Sequence, residues 1–303
     1  MSCTSPIYAL DLGIDSITGK RIIKLLPKRI DLYSRHILES RYGKDSLLAL
    51  PCGKCLSCKL ERSLIWACRL VLEASNYSSD ECYFITLTYN DNFIGNANKK
   101  DYKYFIKALR NDGFKVRYFG CGEYGENTNR FHFHIMIFGL KIPDLVEIGK
   151  NELGDLLFKS NFISQYWNKG FATIGSFSFA SAAYVARYCT KKVDDNSFIF
   201  MSNRPGIGAC FLNDKIKVEA ALNTGFVYGN FGDKKYFRLP KYFKDRLKAL
   251  NYDFSKLDEK NKEISNLIGI NKLSFSGKSH VEETFIDDDN NKKEKERRLK
   301  RNL

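Results

Sequence analysis

The run Phe131-His132-Phe133-His134-Ile135-Met136-Ile137-Phe138 leaves little choice of conformation. Its β-branched and aromatic content favours a strand, and a strand sends successive side chains to opposite faces. Phe131, Phe133 and Ile135 then share one face, the natural core side. His132 and His134 share the other, about 6.5 to 7 Å apart along the backbone. The chain has only four histidines, and two of them stand here. Two imidazoles at that spacing can converge on one ion.

The surrounding sequence supplies partners for this strand. "CYFITLTY" (82–89), "KVRYFGCGE" (115–123) and the short "FATIG" read as strands, and the turn-rich "YGENTNR" joins the second of them to the histidine strand. "DYKYFIKALRND" (101–112) has helical spacing at Phe105, Ala108 and Leu109, with Asp101 as its cap. Further helices are expected over roughly 151–167 and over "FASAAYVARYCTKK" (179–192). The order β-α-β-β-α-β predicts an α+β fold, a ferredoxin-like split βαβ core with a central antiparallel sheet and helices on one face.

Upstream, a small Cys-rich segment, "PCGKCLSC", runs into a helical pattern. Leu60, Leu64, Ala67 and Val71 lie on one side of it, and Lys59, Arg62, Trp66 and Arg69 on the other. The expected organisation is an N-terminal segment with the cysteine cluster and basic helix (1–80), a core (81–200), a basic and aromatic extension (201–285) and a charged tail (286–303), the last too rich in like charges to bury a core.

Glu123 ends the strand before the histidines, so a hairpin would bring its carboxylate to the imidazole face. Two imidazoles and a carboxylate make a three-sided site with positions open for water or substrate oxygens. Downstream, Tyr184, Tyr188 and Lys191 fall on one helical face. A phenol with a pKa near 10 attacks phosphorus only when a neighbour favours the phenolate, and a lysine can do that as well as steady charge on a phosphate.

Charge narrows the partner. Lys plus Arg is 49 against Asp plus Glu 35, a formal net charge of +14, which favours a polyanion, most simply nucleic acid. Aromatic residues are 14% of the chain, and aromatic faces beside cations suit single strands because every base can stack. No run approaches the roughly 18 to 20 apolar residues of a membrane span and the N-terminus lacks signal-peptide features, so a soluble cytoplasmic protein without membrane partners is expected. Nine cysteines in that setting point to thiols or metal ligands. The spacing of Cys52, Cys55 and Cys58 suits thiolate coordination of Zn²⁺, which needs a fourth ligand. Cys82, Cys121, Cys189 and Cys210 are most simply small core residues. "SFSGKSH" near residue 277 lacks the first glycine of a phosphate loop, since Lys272 stands there, so no ATPase is expected.

Together "FITLTY", "GEYG", "FHFH" and "YVARYCTKK" resemble the ordered motifs of the HUH endonuclease superfamily, specifically the replication initiation proteins of gokushovirus-like microviruses, over residues 51 to 192. The resemblance implies that Glu123, His132 and His134 hold Mg²⁺ or Mn²⁺. It also implies that Tyr184 and Tyr188, assisted by Lys191, form 5′-phosphotyrosine links with single-stranded DNA at a phage origin. The single-tyrosine relatives' Y-x-x-K pattern matches Tyr188 and Lys191, which favours Tyr188 as the first nucleophile. It implies further a free 3′-hydroxyl primer for rolling-circle synthesis, contact with origin duplex, a host helicase to unwind it, and work in the bacterial host cytoplasm. Similar phage proteins carry a cysteine near the N-terminus, which makes Cys3 the first choice for the fourth zinc ligand and Cys68 the second. Origin duplex contacts are expected from the basic helix at 59–69 and the segment near 234–248.

Overall fold

Alternating apolar residues can bury a strand only if each neighbouring strand keeps the same register, and this condition is met across a seven-stranded sheet in the computed structural model. The described residues are 3, 5–27, 32–43, 46–93, 95, 97–125, 130–151, 154–188, 197–231 and 233–261. They fall into two compact units, 3–61 and 62–261.

In the first unit β1 (Ile7–Ile14) is central, between β2 (Arg21–Leu25) and β3 (Leu47–Leu50), both antiparallel to it. The carboxylate of Asp15 closes the β1–β2 turn by accepting from the amides of Ile17 and Thr18, and those bonds hold it below the usual carboxylate range. Helix α1 (Leu32–Tyr42) precedes β3, and α2 (Leu56–Ala74) starts within the cysteine cluster.

The second unit runs β4 (Cys82–Tyr89), α3 (Asp101–Asn111), β5 (Arg117–Tyr124), β6 (Phe131–Phe138), β7 (Val146–Lys150), β8 (Leu156–Lys159), α4 (Asn161–Tyr166), β9 (Gly170–Ser176), α5 (Phe179–Tyr188) and β10 (Phe198–Met201). The sheet order is β10-β5-β6-β4-β9-β8-β7, antiparallel at every pair. Then come α6 (Lys215–Thr224), the hairpin β11 (Phe226–Phe231) and β12 (Asp233–Arg238), and α7 (Lys241–Ala249). These last elements bury Phe211, Val218, Val227, Phe237 and Phe243 around Cys68 and Leu72 of α2.

Four expectations are corrected. First, helices cover both faces of the sheet, not one. Phe105, Ile106 and Leu109 of α3, with Ile163 of α4, pack on Ile85, Leu87, Phe133 and Ile135. On the opposite face Leu70, Val71 and Ala74 of α2, with Ala182 and Val185 of α5, pack on Phe119, Met136 and Phe138. Second, the helix expected over 151–167 shrinks to α4. Asn151 and Asp155 bond each other through side chains and backbone with Gly154 at φ 86°, which makes a hairpin turn, so the "LLF" that follows pairs as β8. Ser160 then caps α4 by accepting from the Ile163 amide.

Third, Asp101 does not cap α3. Its buried carboxylate accepts from the Tyr89 hydroxyl and the Lys169 ammonium, each at 2.7 Å. Fourth, Arg69 is not available to DNA. It is 8% exposed, donates to the Ile207 carbonyl, and lies between the Trp66 and Tyr242 rings at 4.2 and 3.9 Å. A guanidinium stacked on two rings supports the packing of α2 rather than a phosphate contact. Among the described residues no helix is long and apolar enough to cross a membrane.

Candidate functional site

Register alone assembles the centre of the site. On β6, His132 is opposite Glu123 of β5 and Thr88 of β4, and His134 is opposite Cys121 and Thr86. Antiparallel partners share a face, so Glu123, His132, His134, Thr86 and Thr88 all project to the side carrying α5. Burial of Phe131, Phe133 and Ile135 on the other side fixes this orientation, because a one-residue slip would exchange the two faces. Gly120 and Gly122 make that burial possible. A Cβ on Gly120 would lie 2.7 Å from the Phe200 ring, and one on Gly122 would lie 2.7 Å from Phe198 and 2.8 Å from Phe131.

The Glu123 Oε1 atom is 3.3 Å from His134 Nε2 and 3.7 Å from His132 Nε2. The three ligand atoms all lie within 4.8 Å of one another. Burial by itself raises the Glu123 carboxyl, yet hydrogen bonding with His132, His134 and Tyr188 outweighs it and holds the group ionised, well below the usual range. Thr86 Oγ1 is 3.1 Å from His134 Nδ1. With Nδ1–H donating to that hydroxyl, the Nε2 lone pair is aimed at the space shared with Glu123 and His132.

One anionic oxygen and two imidazole nitrogens facing one point are a donor set for a divalent cation of borderline hardness. Two adjacent donors on an octahedral ion with bonds of 2.0–2.1 Å are about 3.0 Å apart, slightly closer than those found. The residues fit such an ion.

Helix α5 lays two phenols over this centre. Its start is fixed by Ser178 and Ser181, each hydroxyl accepting from the other's amide, an arrangement that contributes about 1 kcal/mol. Ser63 of α2 braces its far end by donating to the Ala186 carbonyl. Tyr188 stacks on the His134 ring at 6.0 Å, and Tyr184 meets it edge-on at 5.5 Å. Tyr188 Oη donates to Tyr184 Oη at 2.9 Å, and the Tyr188 hydroxyl also reaches Glu123. Tyr184 is 37% exposed and Tyr188 only 8%. Burial raises both phenols above their ordinary pKa, and the bonds to Glu123 and Tyr184 raise Tyr188 further. Lys191 lies outside the described residues, as does Cys189.

The cysteine cluster closes in the first unit. Cys3, Cys52, Cys55 and Cys58 place their sulfurs within 4.8 Å of one another. Cys3 and Cys55 are 3.7 Å apart, and Cys52 and Cys58 4.0 Å. Sulfurs at the corners of a tetrahedron with Zn–S bonds of 2.3 Å are about 3.8 Å apart, whereas a disulfide needs about 2.05 Å. Backbone amides of Lys54 and Cys55 donate to Cys52 Sγ and lower that thiol's pKa, and the Cys52 amide donates to Cys3 Sγ. Gly53, at φ 70°, permits the tight turn that aims them. The donor set fits zinc. Cys68, the second choice for a ligand, is instead fully buried among Leu72, Phe211 and Phe243.

Three neighbours of the histidine site escaped the sequence reading. Thr86 and Phe84, which stacks on His134 at 5.5 Å, were legible only as a period-2 pattern in "FITLTY". Cys121 is core by burial but lies beside His134 in register.

Known proteins share this stretch and more. The family model for replication-associated proteins of the ORF2 type matches residues 82–193, the stretch that contains β4 through α5. The chain is 30% identical over 256 residues to "Replication-associated protein ORF2" of Spiroplasma virus 4, covering 77% of this chain and 79% of that protein. It is 30% identical over 244 residues to "Replication-associated protein VP4" of Bdellovibrio phage phiMH2K, covering 72% and 75%. It is 29% identical over 269 residues to "Replication-associated protein ORF4" of Chlamydia phage 1, covering 80% and 63%. No solved structure matches it. Similarity that extends through most of both chains makes this protein a member of the ORF2-type family of replication-associated proteins, in its gokushovirus-like microvirus branch.

Proposed function

We propose that this chain initiates rolling-circle replication by nicking and rejoining single-stranded phage DNA at the origin, as a site-specific endonuclease and strand transferase. One observation carries the reading. Two tyrosine hydroxyls 2.9 Å apart lie over a Glu-His-His triangle, which places nucleophile and electrophile support on one spot.

The side chains divide the work. Glu123, His132 and His134 would hold Mg²⁺ or Mn²⁺, whose chemistry is to polarise the scissile phosphate as a Lewis acid. A tyrosine Oη attacks phosphorus; the new O–P bond forms as the P–O3′ bond breaks, and the phenolic proton balances the charge on the departing 3′-oxygen. The products are a 5′-phosphotyrosine link and a 3′-hydroxyl able to prime synthesis. The second tyrosine repeats the step on the regenerated origin, while a free 3′-hydroxyl attacks the first link and closes a circle. Lys191 would steady the charge that develops in each step.

The strand order β5-β6-β4-β9 supports a ferredoxin-like split βαβ core of HUH type within residues 81–200. The sulfur geometry supports Zn²⁺ as a structural ion in the N-terminal segment, the charge of +14 supports single-stranded and origin duplex DNA as partners, and the incomplete phosphate loop leaves unwinding to a host helicase in the bacterial cytoplasm.

The test is to incubate the full chain with origin-bearing single-stranded DNA and Mn²⁺ and look for a protein–DNA adduct that survives denaturation. An adduct is expected from the wild type and none from the Tyr184→Phe/Tyr188→Phe double variant. Glu123→Ala, His132→Ala and His134→Ala should each abolish it while DNA binding persists. A wild type that forms no adduct would end the enzymatic reading.

A further inference from the structure

Phe171 is an exposed phenylalanine beside the candidate active site that nothing in the fold requires. Of the described phenylalanines only Phe171 and Phe226 are exposed, Phe171 at 62%. Its place in the sheet is specific. Phe171 of β9 is the register partner of Thr88, Thr88 of His132, and His132 of Glu123. These four residues form one row on the face that bears the site. Strands are spaced about 4.8 Å apart, so Phe171 stands about 10 Å from His132 along that row.

The floor between them is open. Thr88, Thr86 and Thr173 are only half-buried, and strand β8 pairs with β9 only at Gly175 and Ile174, short of Phe171. The ring is also held in place. A Cβ on Gly170 would lie 2.1 Å from the Thr88 carbonyl oxygen, so the residue before Phe171 is one that lets β9 press against β4 there. A ring on a rigid strand, in line with the phosphate site and free on one face, is built to receive something flat.

We propose that Phe171 is a stacking platform for a base of the substrate strand. The single strand lies across the sheet, with the scissile phosphate at Glu123, His132 and His134. A base within about three nucleotides of it, at a stacked rise of about 3.4 Å each, rests on Phe171. The proposal rests on the nicking reading above. Stacking is tolerant of sequence, since every base has a π-face, so Phe171 is a positioning residue that sets affinity and phase rather than origin choice.

The experiment measures binding of the full chain to a fluorescein-labelled 20-nucleotide oligothymidylate by anisotropy, without divalent metal so that no cleavage intervenes. Phe171→Ala and Phe171→Leu are expected to weaken binding about 5- to 150-fold, with an unchanged slope of affinity against salt because no phosphate contact is lost. Phe171→Trp should keep the wild-type affinity and show indole quenching beyond that of the wild type. Affinity within twofold of wild type for Phe171→Ala would overturn the proposal. Full affinity in Phe171→Leu would overturn it too, since apolar contact without a ring would then suffice. The Mn²⁺ adduct assay on the wild type separates the two readings: no adduct with a Phe171 effect retained refutes nicking alone, and an adduct with no Phe171 effect refutes stacking alone.

Discussion

Thr86→Val isolates the part of the site that orients rather than binds. Thr86 and His134 are register partners, with Oγ1 3.1 Å from Nδ1. Valine keeps the shape and β propensity and removes only the hydroxyl. The His134 ring is 7% exposed, so Nδ1 cannot readily exchange its lost bond for water. The stability cost is then a net hydrogen bond plus part of a desolvation penalty, about 1–2 kcal/mol, or a melting temperature lower by about 2 to 8 °C for a unit of this size. The greater effect falls on the ion. Without the bond that fixes the tautomer, Nε2 carries its proton for part of the time and is closed to metal. Loss of such a supporting partner weakens metal binding about 10- to 100-fold. Titration calorimetry with Mn²⁺ on wild type and variant measures it directly, and Thr86→Ser should stay near wild type. Cleavage by the variant should fall at low Mn²⁺ and recover as Mn²⁺ is raised. A Mn²⁺ affinity within twofold of wild type would refute the orienting role, and so would lost activity that added Mn²⁺ fails to restore.

The cysteine cluster should bind one zinc per chain with an affinity that climbs as pH rises. Burial pushes the Cys58 thiol up to about 12, so at neutral pH it must surrender a proton to bind, and each proton released gives up to about tenfold per pH unit. Competition with a chromophoric chelator at pH 6.5 and 8.5 reads this; an affinity flat with pH would count against thiolate ligation. Gly120→Ala should lower the melting temperature by about 2 to 12 °C, from an overpacking cost of about 1–3 kcal/mol, because its Cβ would lie 2.5 Å from the His134 carbonyl oxygen. An unchanged melting curve would show that β5 shifts freely.

What the sequence makes legible here is what depends on near neighbours. The two faces of β6 follow from alternation within eight residues, and Glu123 joins them because its hairpin partner lies only nine positions away. Cys3 lies 49 residues from Cys52; no local pattern links them, and only resemblance to similar phage proteins pointed there. The misread elements fail for equally physical reasons. In α2 the Arg69 side looks solvated, because the sequence does not reveal that Tyr242, far along the chain, covers it. At 151–167 apolar spacing is satisfied by either a helix or a hairpin, and an Asn-Asp turn decides between them. Thr86 and Phe171 are ordinary strand residues until the β4 and β9 registers set them beside the histidines.

The unequal burial of the two phenols bears on how the proposed reaction is held in check. Both are raised above the ordinary tyrosine pKa, Tyr188 more so, because burial and an adjacent anion, Glu123, oppose a phenolate. At rest neither hydroxyl is ionised, and the pair hydrogen-bonds within itself and to the carboxylate. Anything cationic brought to Glu123 reverses the sign of that field, since the charge that disfavours a phenolate is then neutralised. Nucleophile activation is thereby tied to loading of the site. The phenol that a DNA strand meets first is Tyr184, the more exposed of the two. The Y-x-x-K pattern favours Tyr188 for the opening attack, whereas exposure favours Tyr184. Trapping the first adduct and locating it by peptide mapping separates them: DNA on Tyr184 means that access sets the order, and DNA on Tyr188 means that the contact with Glu123 does.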